Sequence, residues 1–443
     1  MPLSLTEILE QGAASSREIQ AATGMSQAAV SRQLQKLADR LVTVRAGRTP
    51  IYHLAKNAFG GGDRLPLFTV DADGNITTTA HIRPLVSGRF YVEALPGAPT
   101  LLLGESGDGL HDDLPYFLYD MAPQGFLGRQ IAREVHKRFA DFPPDPKWWT
   151  TEHIGRFLLS NGDDPPGNLI FGEQSALRVR KKPPAVDESE YAHMAEKVMA
   201  GDIPGSSAGG EQPKFAVFSK HGNEHVIVKF SPPGDTEIAR RWRDIMITEF
   251  HALETLRKHG LPAAKARLLE VGDRLFLESR RFDRTGEHGR TSMVSLAAID
   301  AEFVGAGSNW PLVLQRLCDA GRIAREHFAT AERLWCFGKL INNTDMHLGN
   351  LSFAIDGARF NLLPAYDMCA MGFAPKSGGE LTPYAFVPKH PERRVVTEEE
   401  YDAVRRAAEH FWDGVAQDSR LSQEFKEFLV MGNPVKRLSG PRS

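Results

Sequence analysis

Three polar side chains with a defined spacing carry the clearest chemical signal in this 443-residue chain. Asp345 precedes Asn350 by five residues, and a second acid, Asp367, follows after an apolar, strand-like run. Phosphoryl transfer requires few protein groups, chiefly a base and oxygen ligands that hold Mg²⁺ rigidly. The spacing therefore predicts a magnesium-dependent phosphoryl-transfer loop.

The same stretch could instead be a polar turn between a helix and a hairpin, because Asn, Asp and Gly are common in turns. The spacing from Asp345 to Asn350 does not separate these two interpretations. The order of the groups, however, is that of a kinase catalytic loop, where a base and a metal-binding amide precede a second metal-binding acid. Features upstream decide between the alternatives.

A lysine inside an apolar strand is one such feature. Lys229 lies in the run Val-Ile-Val-Lys-Phe at residues 226–230, and a charge placed there is costly unless it meets an anion. In kinases that anion is a nucleotide phosphate. A helix predicted over residues 237–260 carries Glu249, a candidate partner for Lys229.

A glycine- and serine-rich segment, residues 205–214, precedes this strand and leads into another predicted at residues 215–219. Small residues allow backbone N–H groups to approach phosphates, and Lys214 adds positive charge. An ordinary hairpin turn is the alternative for such a loop taken alone. Residues 275–284 are predicted to form the strand and hinge that line an adenine pocket.

The first 56 residues predict a winged helix-turn-helix: three short helices with Ser caps, then a hairpin. They contain seven basic and four acidic residues, whereas the whole chain has a formal net charge of −3. Winged helices also serve as protein-docking modules, but the outward residue types favour duplex DNA. The predicted contacts are Ser26, Gln27, Ser31, Arg32, Gln35 and Lys36 on the third helix, and Arg45 and Arg48 at the hairpin tip.

Residues 57–200 show no catalytic spacing and are interpreted as an accessory packing domain. Gly-rich residues 59–63 predict a flexible joint. Short strands are predicted at residues 67–70, 76–82, 89–95 and 100–103.

The sequence shows no sign of membrane insertion or export. No apolar run approaches the roughly 18 residues that a membrane span needs, and the N-terminus lacks a signal pattern. The three cysteines lack metal-ligand spacing and fit a reducing compartment. We therefore expect a soluble cytoplasmic protein without a membrane partner.

The order of these features resembles HipA-type serine/threonine kinases, the toxin components of bacterial toxin–antitoxin pairs. The most specific matches are residues 208–214, 281–284, 343–350 and 365–367. The fused N-terminal segment resembles the stand-alone, YjjJ-like form of the family. The resemblance implies an α+β chain, with a winged helix-turn-helix followed by a two-lobed HipA-like, protein-kinase-like fold. Its parts would be the winged helix at 1–56, the accessory subdomain at 57–200, the small lobe with Gly-rich loop and hinge at 201–290, and the helical large lobe at 291–443.

The resemblance also implies roles for individual residues. Asp345 would be the catalytic base, and Asn350 and Asp367 would bind Mg²⁺. Regulatory autophosphorylation would occur at Ser206 or Ser207. The residues implied in ATP binding are Ala208, Gly209, Gly210, Lys214, Lys229, Ser279, Arg280, Arg281, Phe282 and His347.

Together these features predict an ATP- and Mg²⁺-dependent protein serine/threonine kinase that carries its own DNA-binding domain. It would act as a growth-inhibiting toxin or as a regulator. By resemblance its substrate class is an aminoacyl-tRNA synthetase, and a separate antitoxin is possible. Two alternatives remain: a transcriptional regulator that senses nucleotide through a kinase fold, and a Mg²⁺-dependent DNA nuclease toxin.

Overall fold

The computed structural model of the chain describes residues 3–46, 49–200, 212–376 and 378–439. Several predicted site residues lie outside these ranges. They are Ser206, Ser207, Ala208, Gly209 and Gly210 in the Gly-rich segment, and Arg48 in the hairpin.

The N-terminal module, residues 3–56, is built from short helices and a small antiparallel sheet. Ser4 and Ser15 each begin a helix by accepting a bond from the backbone N–H three residues on, and Ser26 caps the third helix in the same way. Gly24, at φ 71°, ends the second helix in the left-handed region. The elements are α1 Leu5–Gln11, β1 Ala14–Ser15, α2 Ser16–Thr23, α3 Gln27–Lys36, β2 Leu41–Ala46 and β3 Thr49–Leu54, with sheet order β1-β3-β2.

The middle domain, residues 57–180, is a five-stranded sheet of order β7-β6-β5-β4-β8 covered by helices. Its strands are β4 Leu65–Val70, β5 Ile76–Pro84, β6 Phe90–Ala94, β7 Leu110–His111 and β8 Leu169–Phe171. Its helices are α4 Tyr116–Asp120, α5 Gly125–Arg138, α6 Thr151–Asn161 and α7 Glu173–Val179, with 3-10 turns at Thr100–Leu103 and Pro146–Trp148.

Two predictions for this region are wrong. Thr100–Leu103 is a 3-10 turn and not a strand, because Leu101 and Leu102 are both buried, whereas neighbouring strand residues point to opposite faces. Residues 59–63 form a packed turn and not a flexible joint. The Phe59 ring is 7% exposed and stacks on Phe90 at 5.9 Å between centroids, which fixes the turn inside the core.

The N-terminal module is joined to the middle domain through a shared core. Val42 and Val44 on β2 are buried with Leu85 of the middle domain. The Arg83 guanidinium donates to the carbonyl oxygens of Asp39 and Asp63, at 2.7 Å each. This packing fixes the inner face of the hairpin against the neighbouring domain.

The small lobe, residues 185–280, contains a second five-stranded sheet of order β12-β13-β11-β10-β9. It includes β9 and α8, whose Tyr191 is buried among sheet residues such as Phe215. We therefore propose that the middle domain ends near residue 180 and not at 200. The elements are β9 Ala185–Val186, α8 Tyr191–Ala200, β10 Lys214–Ser219, β11 Glu224–Phe230, α9 Glu237–Lys258, β12 Ala266–Val271 and β13 Arg274–Arg280, with a 3-10 turn at Glu188–Glu190.

The large lobe, residues 284–439, is mainly helical. Its helices are α10 Leu296–Phe303, α11 Trp310–Asp319, α12 Arg325–Leu340, α13 Glu398–Ala416 and α14 Gln423–Val430, with 3-10 turns at Leu348–Asn350, Met371–Phe373 and Pro434–Ser439. Its strands are β14 Arg284–Thr285, β15 Gly289–Arg290, β16 Val294–Ser295, β17 Ser352–Asp356 and β18 Arg359–Leu362. Within the described ranges, no helix combines the length and apolar character needed to cross a bilayer.

Candidate active site

A buried lysine connects three elements that are distant in sequence. Lys229 Nζ on β11 donates to both carboxylate oxygens of Glu249 on α9, at 2.6 and 2.5 Å, and to Asp367 Oδ1 at 2.6 Å. Lys229 and Glu249 are 6% and 1% exposed, so water screens this pair weakly. The partnership predicted between Lys229 and Glu249 is confirmed, and the bond to Asp367 adds the third element.

The neighbouring charges set the protonation of this cluster. Burial alone would lower the pKa of Lys229, but the carboxylates of Asp367 and Glu249 hold it well above its ordinary value. Burial alone would raise the pKa of Asp367, yet the positive charges of Lys229 and Lys214 hold it well below its ordinary value. The ammonium and the Asp367 carboxylate are therefore both charged at neutral pH.

Asp367 is held in an uncommon backbone conformation by the segment around it. Its φ is 51°, in the left-handed region that non-glycine residues seldom occupy. The preceding Tyr366 hydroxyl donates to the Gly349 carbonyl oxygen at 2.8 Å, and the Ala365 N–H donates to the Pro262 carbonyl oxygen at 2.9 Å. These bonds fix Asp367 between the segment that contains Gly349 and the small lobe.

The predicted catalytic loop, residues 341–350, follows directly from α12 and is held by backbone and side-chain hydrogen bonds. The Asn343 N–H donates to the Gly338 carbonyl oxygen at 2.9 Å, and Asn343 Oδ1 accepts from the Asp345 N–H at 3.0 Å. Trp310 Nε1 donates to the carbonyl oxygen of His347 at 2.9 Å. The loop is therefore an ordered turn that presents Asp345 in a defined position.

The structure brings Asp345, Asn350 and His347 together at this loop. Asn350 Nδ2 donates to the Asp345 carbonyl oxygen at 2.8 Å, which leaves its Oδ1 as the amide atom able to accept a cation. The Asp345 carboxylate is half-exposed, and His347 Nε2 lies 3.9 Å from it. An incoming hydroxyl can therefore reach Asp345.

The residues around Asp367 suit Mg²⁺ better than a tightly ligated transition metal. Among the described residues no group of three or more His, Cys, Asp or Glu could enclose an ion. Mg²⁺ commonly keeps several waters and is bound by one or two protein oxygens together with substrate phosphates. One carboxylate, Asp367, and one amide, Asn350, fit that coordination pattern.

Lys214, the described part of the predicted phosphate-binding segment, lies next to this cluster. It begins β10 and stands directly opposite Lys229 in the antiparallel register. Its charge contributes to the low pKa of Asp367. Two lysines on adjacent strands thus direct positive charge toward the same carboxylate.

In the predicted hinge, two backbone N–H groups already donate hydrogen bonds within the protein. The N–H groups of Arg280 and Arg281 already donate, to the carbonyl oxygens of Lys265 at 2.8 Å and His225 at 2.9 Å. Neither N–H group is therefore available to an adenine in this conformation. Ser279 lies within β13, an interior strand of the small-lobe sheet, and the Phe282 ring packs 5.8 Å from Tyr366 between centroids.

The Arg281 side chain belongs to an ion-pair network that sequence analysis missed, in which Asp283 and Arg284 are buried and Asp164 is exposed. Its guanidinium lies 3.0 Å from both Asp164 oxygens and 3.0 Å from Asp283 Oδ2, and Arg284 contacts the same two acids at 2.6 Å. Burial raises the pKa of Asp283, but the two arginines more than reverse this and lower it. The network joins the hinge to the middle domain, and the charged run Arg-Arg-Phe-Asp-Arg was its only signal.

The DNA-contacting side chains predicted on α3 lie on one exposed face of that helix. On α3, Val30 and Leu34 are buried, and the opposite face is open to solvent. Arg45 on β2 is exposed as well. The exposed predicted residues of the helix are Ser26, Gln27, Ser31, Arg32, Gln35 and Lys36.

Comparison with known proteins agrees with this architecture. A family model described as YjjJ-like toxin, middle domain, matches residues 61–180, and one described as HipA-like C-terminal domain matches residues 206–425. The Toxin YjjJ of Escherichia coli strain K12 is 35% identical over 432 residues, covering 95% of this chain and 94% of that protein.

A solved structure extends the likeness to the fold. A chain of the Shewanella oneidensis MR-1 toxin–antitoxin system, solved as HipA, HipB and its operator DNA complex, has a TM-score of 0.53 and 16% identity. The match covers 84% of this chain and 92% of that one. With a 35%-identical relative matched over nearly its whole length, the chain belongs to the family of YjjJ-like, HipA-type toxins.

Proposed function

We propose that the protein is an ATP- and Mg²⁺-dependent protein serine/threonine kinase that acts as a growth-inhibiting toxin. The observation that carries this proposal is the Lys229 cluster, in which strand lysine, helix acid and Asp367 meet within 2.6 Å. That arrangement, beside a loop with Asp345 and Asn350, is the one by which kinases position nucleotide and metal.

Each group has a distinct task in the proposed reaction. Bound Mg²⁺ would neutralise charge on the nucleotide phosphates, held by Asp367 and Asn350. Lys229 would contact phosphate oxygens while Glu249 keeps its ammonium in place. Asp345 would orient the acceptor hydroxyl and take its proton, and Phe282 would pack on the adenine.

One incubation tests the proposal against its two rivals. The purified full chain is mixed with γ-labelled ATP and Mg²⁺, and separately with plasmid and Mg²⁺. We expect label on protein serine or threonine, including the chain itself, and intact plasmid. Nucleotide binding without transfer would support a sensing regulator, and cut plasmid would support a nuclease.

We further propose that the N-terminal module is a winged helix-turn-helix that binds duplex DNA. Support comes from the exposed α3 face and from Arg45, which is exposed on β2. The face combines amides, hydroxyls and cations, the side chains that reach base edges and phosphates. The aminoacyl-tRNA synthetase substrate and a separate antitoxin stay predictions from resemblance.

For DNA binding, we predict that Arg32→Ala weakens the binding free energy at a specific DNA site by roughly 1–3 kcal/mol if Arg32 contacts a base. The logarithm of the affinity should fall linearly with the logarithm of the salt concentration, because basic side chains that contact phosphates release counterions from the DNA. The measurement is a salt series of fluorescence anisotropy on labelled duplex with the full chain. The full chain is used because an isolated 1–56 fragment would expose Val42 and Val44, which pack on the middle domain.

Arg325→Ala is the matched control, since Arg325 is an exposed arginine on the large lobe. It should leave DNA affinity unchanged. Absence of duplex binding by the wild type at low salt would favour the alternative of a protein-docking module.

A further inference from the structure

A groove of about 440 Å³ opens beside the catalytic loop. Asn342, Asn343 and Thr344, which immediately precede Asp345, form one side of it. Neither Asn350 nor Asp367 belongs to its lining, so it is separate from the groups proposed to hold metal and nucleotide. A molecule in this groove would lie next to the proposed base.

The groove carries an excess of positive charge. Lys339, Lys389 and Arg394 line it, against a single acid, Glu392. Across the described part of the chain, none of these three cations forms an ion pair with a carboxylate. Lys339 Nζ instead lies 4.2 Å from the centroid of the Trp335 ring. We refer to this site as the basic groove.

The wall of the basic groove that carries Arg394 is fixed by a buried carboxylate. Glu332 on α12 is fully buried and accepts bonds from three consecutive backbone N–H groups, those of Arg394, Val395 and Val396, at 2.6, 2.7 and 2.7 Å. Three hydrogen bonds thus converge on one buried side chain. Residues 394–396 are therefore anchored to α12, the helix that leads into the catalytic loop.

The opposite wall is fixed as well. Asn342 has a left-handed φ of 64°, and its carbonyl oxygen accepts from the Gly372 N–H at 2.9 Å. A Cβ at Gly372 would lie 2.5 Å from the Asn342 side chain, so a larger residue there would displace that side chain. Both walls are thus preformed, which reduces the ordering cost of binding.

We propose that the basic groove binds an acidic, extended segment of the protein substrate, next to the serine or threonine that receives phosphate. This inference rests on the proposed kinase function and adds the substrate class. The unpaired cations supply charge complementarity, and the segment places its hydroxyl at Asp345.

The lining favours a peptide over a nucleic acid strand. Phe386 and the 69%-exposed Val387 offer apolar surface to peptide side chains. The Glu392 carboxylate would repel a backbone with a phosphate at every nucleotide, whereas a peptide can place a neutral residue opposite it. A nucleic acid occupant is accordingly an outcome that would contradict the proposal.

The test measures binding and transfer separately with the full chain. The probes are a fluorescent 12-residue peptide with one serine flanked by glutamates, the same peptide with lysines, and a 12-nucleotide single-stranded RNA. Anisotropy without ATP gives Kd, and labelled ATP with Mg²⁺ gives the transfer rate. We expect the acidic peptide to bind at least tenfold more tightly than the basic one.

The variant Lys389→Glu/Arg394→Glu should raise the Kd for the acidic peptide at least tenfold. Lys389→Arg should retain wild-type affinity, since it keeps the charge. Lys220→Glu is the matched control, because Lys220 is exposed on the small lobe, and its Kd should match wild type. Equal melting temperatures would show that the variants are folded.

The outcomes separate the groove from the kinase proposal. Charge-dependent peptide binding without any phosphate transfer supports the basic groove and overturns the kinase function. If the rate of phosphate transfer depends neither on the charges that flank the serine nor on the substitutions Lys389→Glu/Arg394→Glu, the groove proposal is overturned and the kinase function stands. The groove proposal is also overturned if the chain binds the RNA, loses that binding in Lys389→Glu/Arg394→Glu, and binds the acidic and basic peptides equally.

Discussion

Replacing Asp345 with alanine is expected to reduce phosphate transfer to a protein hydroxyl by about 10²–10⁴-fold, the usual contribution of a positioned general base. Nucleotide binding should stay close to wild type. The reason is geometric: Asn350 bonds the Asp345 backbone carbonyl at 2.8 Å, which the substitution keeps, and the Lys229 cluster does not include the Asp345 side chain.

The measurement pairs transfer of labelled phosphate with the thermal shift produced by ATP·Mg²⁺. Asp367→Ala is the informative contrast, because it removes a proposed metal ligand and should weaken Mg²⁺-dependent nucleotide binding itself. The two variants should therefore fail at different steps. Plasmid cleavage by the wild type that survives Asp345→Ala would remove the kinase assignment.

Replacing Lys229 with methionine is expected to destabilise the fold by about 3–5 kcal/mol at neutral pH, because it leaves the buried Glu249 carboxylate without its partner. Urea unfolding followed by circular dichroism measures this change. The same variant should lose the thermal shift with ATP·Mg²⁺, since the ammonium that contacts phosphate is absent.

The loss should be smaller in acid. Burial raises the pKa of Glu249, and removing Lys229 removes the charge that opposes this shift. A carboxyl whose pKa is raised by folding binds more protons in the native state, so stability falls as pH rises through that pKa. Lys229→Met should therefore lie closest to wild type at low pH.

A second substitution separates charge burial from lost packing. In Lys229→Met/Glu249→Leu both buried charges are replaced, and most of the lost stability should return, although nucleotide binding should not. Lys220→Met, at an exposed lysine, should change neither quantity. An unaltered ATP·Mg²⁺ thermal shift in Lys229→Met would contradict the assigned role of Lys229.

Local patterns were sufficient to predict the pair of Lys229 and Glu249. A lysine in an apolar strand needs an anion, and the following helix offers an acid. Helical periodicity likewise separates the buried Val30 and Leu34 from Arg32, which was predicted to face outward and is exposed. Such predictions succeed because strand and helix periods fix which side chains share a face.

The long-range contacts could not be predicted in this way. The bond from Lys229 to Asp367 joins residues 138 apart, and nothing near either residue specifies it. Asp164 meets Arg281 only because two loops converge. The engagement of the hinge N–H groups is equally non-local, since their acceptors, such as His225, come from another strand. Tertiary packing, which no local period encodes, decides these contacts.

Because Val42, Val44 and Leu85 share one core, we expect the N-terminal module and the rest of the chain to be degraded together. A protease that attacks the turn at residues 59–63 must first open the packing around Phe59. The abundance of the proposed DNA reader therefore cannot be adjusted independently of the proposed kinase. A signal that separates the proposed DNA binding from the proposed kinase activity would therefore act through a ligand or a change of conformation, and not through selective turnover of one part.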